Sequence, residues 1–93
     1  MGAEPYVSTK LQHDAYNIAV QRGQWNGVDA FWDAIEALRD EVDEFEASAN
    51  SAAGQEDADM TELSHELADV VICAASIAEA LRVNLPAAIA EKM

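Results

Sequence analysis

Six consecutive residues, Val70, Val71, Ile72, Cys73, Ala74 and Ala75, are apolar inside a stretch that otherwise repeats at helical spacing. A helix built on them is apolar all round and must be covered on every side. In a chain of 93 residues this is a severe demand. Hydrophobic residues make up 51% of the sequence, but many of them are alanine, which buries little area. The core is therefore expected to be thin, and a second subunit is expected to pack on this helix.

Four helical patterns surround or contain the run, with no sustained strand-like alternation between them. The first is predicted over residues 8–22, with Ser8 as N-cap and Leu11, Ala15, Ile18 and Ala19 on one face; Gly23 ends it. The second begins near residues 26–29 and runs to about Ala47, with an apolar stripe of Phe31, Ile35, Leu38, Val42 and Phe45. A polar, small-residue segment, 48–58, containing Gly54, reads as a loop. The third helix starts near Asp59, which stands three residues before Glu62 in a capping-box arrangement, and continues to about Leu81. Asn84 caps a short fourth helix that tolerates Pro86 in its first turn. The fold class is all-α: a four-helix bundle in one domain, 1–93, completed by oligomerisation, with residues 1–7 as a flexible N-terminus.

Charge removes several functions. Five Lys and Arg stand against 18 Asp and Glu, a formal net charge of −13. Phosphate-contacting nucleic-acid binding needs clustered basic side chains, and an anionic membrane surface attracts the same. Neither nucleic acid nor membrane is an expected partner. The lone Cys73 cannot form an internal disulfide. Residues 1–6 lack a basic region followed by an apolar run, so no signal peptide is expected. A soluble protein of a reducing cytoplasm is the expectation.

Two segments share one pattern. Leu38, Glu41, Val42, Glu44 and Phe45 have the same order and spacing as Leu63, Glu66, Leu67, Asp69 and Val70. In each, two acids at i and i+3 lie one turn apart on a helix. They sit on the shoulder of the apolar stripe and not opposite it. If the two stripes face each other, four carboxylates gather at one edge of the core, where like charges repel. Arg39 is the only base within the clusters. A divalent cation is the economical counter-charge, and all-oxygen ligation suits Mg²⁺, or Mn²⁺, better than zinc or copper. His13, His65 and Cys73 form no zinc pattern. The bland alternative is a solvated acidic face, the usual meaning of a single such pair. Periodicity alone leaves both open.

The segment Asp40-Glu41-Val42-Asp43-Glu44, followed at a distance by Glu66-Leu67-Ala68-Asp69, resembles the EExxE…ExxD signature of the MazG-like all-α nucleoside triphosphate pyrophosphohydrolases. The ending, Asn84-Leu85-Pro86 through Glu91-Lys92-Met93, is similar to the dCTP-pyrophosphatase-like branch, and Trp25 matches a Trp found ahead of the first acids there. The resemblance covers roughly residues 11–93. It implies metal ligands, and hence catalytic residues, at Glu41, Glu44, Glu66 and Asp69. It also implies a Mg²⁺-dependent hydrolysis of a (deoxy)nucleoside triphosphate to the monophosphate and pyrophosphate, used for house-cleaning or pool control. Substrate contacts fall on Trp25 and Tyr16, near the base, and on Lys92, near the phosphates. The expected assembly is a homodimer or homotetramer. Two departures stand out. The first acid of the signature is Asp40, not Glu. The family also usually continues past the Lys with an Asn and one or more Arg, whereas this sequence ends at Met93. The resemblance then leaves the phosphates to Lys92 with Arg82 or a neighbouring subunit, with weakened activity, or implies a truncated form.

Other residues have plainer readings. Trp25 and Tyr16 are otherwise core aromatics, and Trp32 belongs to core or interface. His13 and His65 read as surface histidines, Cys73 as a small buried hydrophobe, and Arg39 as a surface partner of Asp40. The competing function is non-enzymatic: an acidic helical interaction module, antitoxin-like or DNA-mimicking.

Overall fold

The computed structural model describes residues 6, 8–56 and 60–93. Among them are four helices and no strand: α1 (Lys10–Gln21), α2 (Ala30–Ala52), α3 (Met60–Ala80) and α4 (Leu85–Lys92). The all-α expectation holds. Helix α3 is central, with α1 packed on it from one side and α2 from the other. Both run antiparallel to it. The start of α1 meets the end of α3 where Gln12 reaches Val83, and Ala47 of α2 lies near Leu63 of α3.

The boundaries differ from expectation in instructive ways. Thr9, not Ser8, caps α1: its Oγ1 accepts from the Gln12 N–H at 3.2 Å. Ser8 Oγ donates to Glu79 instead, 2.8 Å away on α3. Helix α2 runs to Ala52, five residues beyond its predicted end, through part of the segment read as loop. Alanines at 47, 49 and 52 are strong helix formers, and the first true breaker is Gly54, at φ +81°. The proposed Asp59 cap lies outside the described residues. Asn84 caps α4 as expected, its Oδ1 accepting from Ala87 N–H at 3.1 Å. Of the segment expected to be flexible, Tyr6 is described, and its hydroxyl donates to Glu79 Oε1.

Two helices end in the same hydrogen-bonded turn. At the end of α1, Gln24 N–H reaches Ala19 O at 2.9 Å and Gly23 N–H reaches Val20 O at 3.0 Å. At the end of α3, Val83 N–H reaches Ala78 O at 2.9 Å and Arg82 N–H reaches Glu79 O at 3.0 Å. Each turn needs a left-handed residue. Gly23 supplies one at φ +89°, whereas Arg82 adopts φ +58° against its own side chain. The Arg82 guanidinium lies over the Tyr6 ring, 5.8 Å from its centroid, a contact that helps hold the turn.

The core is built from alanine. The buried apolar residues are Ala15, Ala34, Ala75 and Ala78. The larger residues of the predicted stripes are only half-buried or exposed, including Leu11, Ile18 and Val42. Trp32 is also exposed rather than core. The all-round apolar stretch of α3 keeps Val71 46% and Ile72 40% exposed. The radius of gyration is 15.5 Å, against about 12 Å for a compact chain of this length.

The largest fully buried side chain is polar. Gln12, 1% exposed, donates to Val83 O at 2.6 Å and to Tyr6 Oη at 3.2 Å, and its Oε1 accepts from Leu85 N–H at 3.0 Å. This one amide joins α1 to the turn between α3 and α4. Gln12→Ala should leave the Val83 carbonyl and the Leu85 N–H unpaired and cost about 2–3 kcal/mol of folding stability. Urea denaturation measures this, and a loss below about 0.5 kcal/mol, the level of an ordinary surface substitution, would show that the amide ties nothing together.

Candidate metal centre

Helix α2 carries Glu41 and Glu44 one turn apart, and α3 carries Glu66 and Asp69 in the same relation. Antiparallel packing brings the two pairs to one edge of the α2–α3 seam. Single carboxylate oxygens of Glu41, Glu66 and Asp69 lie within 4.8 Å of one another. Glu41 and Glu66 are half-buried, and Asp69 is exposed. Glu44 is exposed and outside this close triad, but its charge acts on Glu41.

The electrostatics are unfavourable as the groups stand. Burial is the main reason that the Glu41 carboxyl is pushed above its ordinary value. The charges of Glu44 and Asp69, hydrogen bonding toward Glu44 and the charge of Glu66 push it the same way. Glu41 Oε2 and Glu66 Oε2 are buried and receive no N–H or O–H donor. A buried acceptor without a donor is costly, and a buried carboxylate more so. No base relieves it: Arg39, expected to pair with Asp40, is exposed and forms no ion pair among the described residues, where Lys10–Asp14 at 2.5 Å is the salt bridge. Two orphaned oxygens from facing helices, with a third carboxylate beside them, suit a hard divalent cation in both donor type and charge.

Beside the acids, α1, α2 and α3 enclose a cleft of about 200 Å³. Glu41 lines it, as do Ala37 and Ala34, one and two turns earlier on the same face of α2. Ala15 and Ala19 come from α1, and Cys73 and Ser76 from α3. Arg22 and Gln24 follow the end of α1 at its border. Sequence reasoning missed Arg22, Gln24 and Ser76. The available signal was the spacing of Ala34, Ala37 and Glu41, which puts small residues directly above an acid.

Tyr16 and Trp25 stack on each other, with centroids 5.6 Å apart and planes 26° apart. Trp25 Nε1 donates to Ser76 Oγ at 2.9 Å, and this bond anchors a residue at φ +63°. The pair thus stands behind Ser76, which lines the cleft. Lys92 is exposed in the last turn of α4, and α4 leaves α3 at 107°. Asp69 and Ala80, where α3 ends, are 11 positions apart, an axial distance of about 16 Å. Within one chain, Lys92 belongs to the end of α3 remote from the acids. The Cys73 thiol, half-buried, is raised by burial first and then by Glu41, Asp69 and Glu44, which suits a packing role and not a nucleophile. His13 is exposed, with Asn17 Nδ2 at 3.0 Å from its Nε2, and His65 is exposed.

The raised Glu41 carboxyl has a signed consequence. Its native value lies above 4.5, so the stability it contributes is complete below that pH and is lost as pH rises through the native value. In metal-free protein, Glu41→Gln, which mimics the neutral acid, should raise the melting temperature at pH 7 by a few degrees and give no gain near pH 4. Equal shifts at both values, read by differential scanning fluorimetry in chelator, would contradict the electrostatic account.

No protein-family model, curated protein or solved structure matches the chain.

Proposed function

We propose that the protein is a Mg²⁺-dependent nucleoside triphosphate pyrophosphohydrolase of the MazG-like all-α type, releasing pyrophosphate from a (deoxy)nucleoside triphosphate in a reducing cytoplasm. The observation that carries the reading is the pair of buried, donor-less carboxylate oxygens on Glu41 and Glu66, held against Asp69 across the α2–α3 seam. Their positions coincide with ligands implied by the family resemblance.

Glu41, Glu66 and Asp69 would hold the cation, with Glu44 as the fourth carboxylate. Bound Mg²⁺ supplies positive charge and Lewis-acid polarisation of phosphoryl oxygens, which an acidic protein otherwise lacks for an anionic substrate. The chain supplies rigidity. Two long antiparallel helices fix the carboxylates, and the spacing of Glu41 from Glu44 ties one half-buried acid to one exposed acid. The partial burial of Glu41 suits it to ligation. The cleft beside Glu41, walled by alanine, accepts a flat apolar ring face. Tyr16 and Trp25 support its Ser76 wall through the 2.9 Å bond.

A homodimer or homotetramer is part of the same proposal. Leu67, Val71 and Ile72 of α3 are each 40% exposed or more, and the chain is more extended than a compact monomer. Burial of that face in a second copy removes apolar area from water at about 25 cal/mol per Å².

Purified protein with Mg²⁺ and each of the common nucleoside and deoxynucleoside triphosphates should release pyrophosphate with at least one of them. Glu41→Ala should reduce that release about 100-fold or more. No release with any nucleotide, together with no saturable effect of Mg²⁺ on the melting temperature, would leave the acidic interaction module as the reading. Sedimentation at micromolar protein should give a species of at least twice the chain mass; a stable monomer would defeat the assembly.

A further inference from the structure

We infer that Arg22 is the anion-binding group of this site, taking a phosphate oxygen of the ligand that the acid cluster holds through its cation. The inference rests on the metal-dependent reading above and adds a residue to it. The sequence has five basic side chains against 18 acidic ones, so an unpaired guanidinium on the cleft that Glu41 lines is conspicuous. Lys10 is tied to Asp14 at 2.5 Å, and Arg82 lies over Tyr6. Arg22, Arg39 and Lys92 are all exposed, and of these three only Arg22 lines the cleft. Arg22 lines it together with Glu41, and its side chain makes no hydrogen bond or ion pair among the described residues.

The backbone holds Arg22 in place. It is the C-cap of α1, with its N–H 3.1 Å from both Ile18 O and Ala19 O. The turn that follows is closed by the Gly23 and Gln24 bonds back into α1, and then by Trp25 on Ser76. A cation at a helix C-terminus also complements the helix dipole, which is the plain explanation for an arginine there. That explanation accounts for the position on α1 and not for a side chain on the border of the cleft that Glu41 lines. Because α1 runs antiparallel to α3, its C-terminal end points toward the half of α3 that carries Asp69. Guanidinium suits the role because its planar N–H fork matches phosphate oxygens.

The test is calorimetric titration of the full chain with Mg²⁺ alone, and then of the Mg²⁺-saturated protein with inorganic tripolyphosphate, for wild type, Arg22→Gln and Arg39→Gln. The expected result is unchanged Mg²⁺ affinity in all three. Tripolyphosphate affinity should fall about tenfold or more in Arg22→Gln and by much less in Arg39→Gln, which controls for net charge. Equal weakening in the two variants, or none in Arg22→Gln, would overturn the assignment while leaving the metal site intact. Absence of Mg²⁺ binding in wild type would overturn the metal-dependent reading, and the assignment with it.

Discussion

Alanine at the helix contacts is the constraint on which the rest of this structure depends. Ala15, Ala34, Ala75 and Ala78 are the buried apolar residues, and they let α1 and α2 lie close to α3. The same choice gives little apolar burial per contact. The chain compensates with a few polar side chains that reach across the seams. Gln12 joins α1 to the α3–α4 turn, Trp25 joins the α1–α2 connection to Ser76, and Tyr6 and Ser8 meet on Glu79. Larger apolar side chains are displaced to the periphery, where Leu11, Ile18, Val71 and Ile72 remain open to a second surface.

Close approach of α2 and α3 has an electrostatic consequence. Glu41 and Glu66 stand at the seam, where water is excluded from one oxygen of each. The fold accepts a local penalty at Glu41 that a cation would remove. The alanines that narrow the seam also leave the cleft beside Glu41, since Ala34 and Ala37 fill little of the space between α2 and α1.

Much of this was legible in the sequence. The repeated spacing of acids against apolar residues located all four carboxylates on two helices, because helical geometry is local and a three-residue step has one meaning. Asn84 announced α4 for the same reason. The errors came where two local preferences competed. Ser8 and Thr9 are both capping residues, and the choice was made by Glu79, a distant acceptor that holds Ser8. The end of α2 was placed too early because small polar residues read as loop, while the alanines among them carry the helix on to Ala52. Gln12 gave no signal at all. An isolated glutamine on a helix is ordinary until the fold puts a carbonyl and an N–H beside it.

The sequence by itself determined the helical class, the pairing of Glu41 with Glu44 and of Glu66 with Asp69, and the shortage of core volume. Each follows from composition or from spacing within one helix. Only the tertiary structure decided which oxygens lose water, which basic residue borders the cleft, and that Tyr16 and Trp25 stack on each other behind Ser76. Those outcomes depend on the distance and direction between helices. These are set by summed packing and by a few long-range hydrogen bonds, which no local pattern encodes.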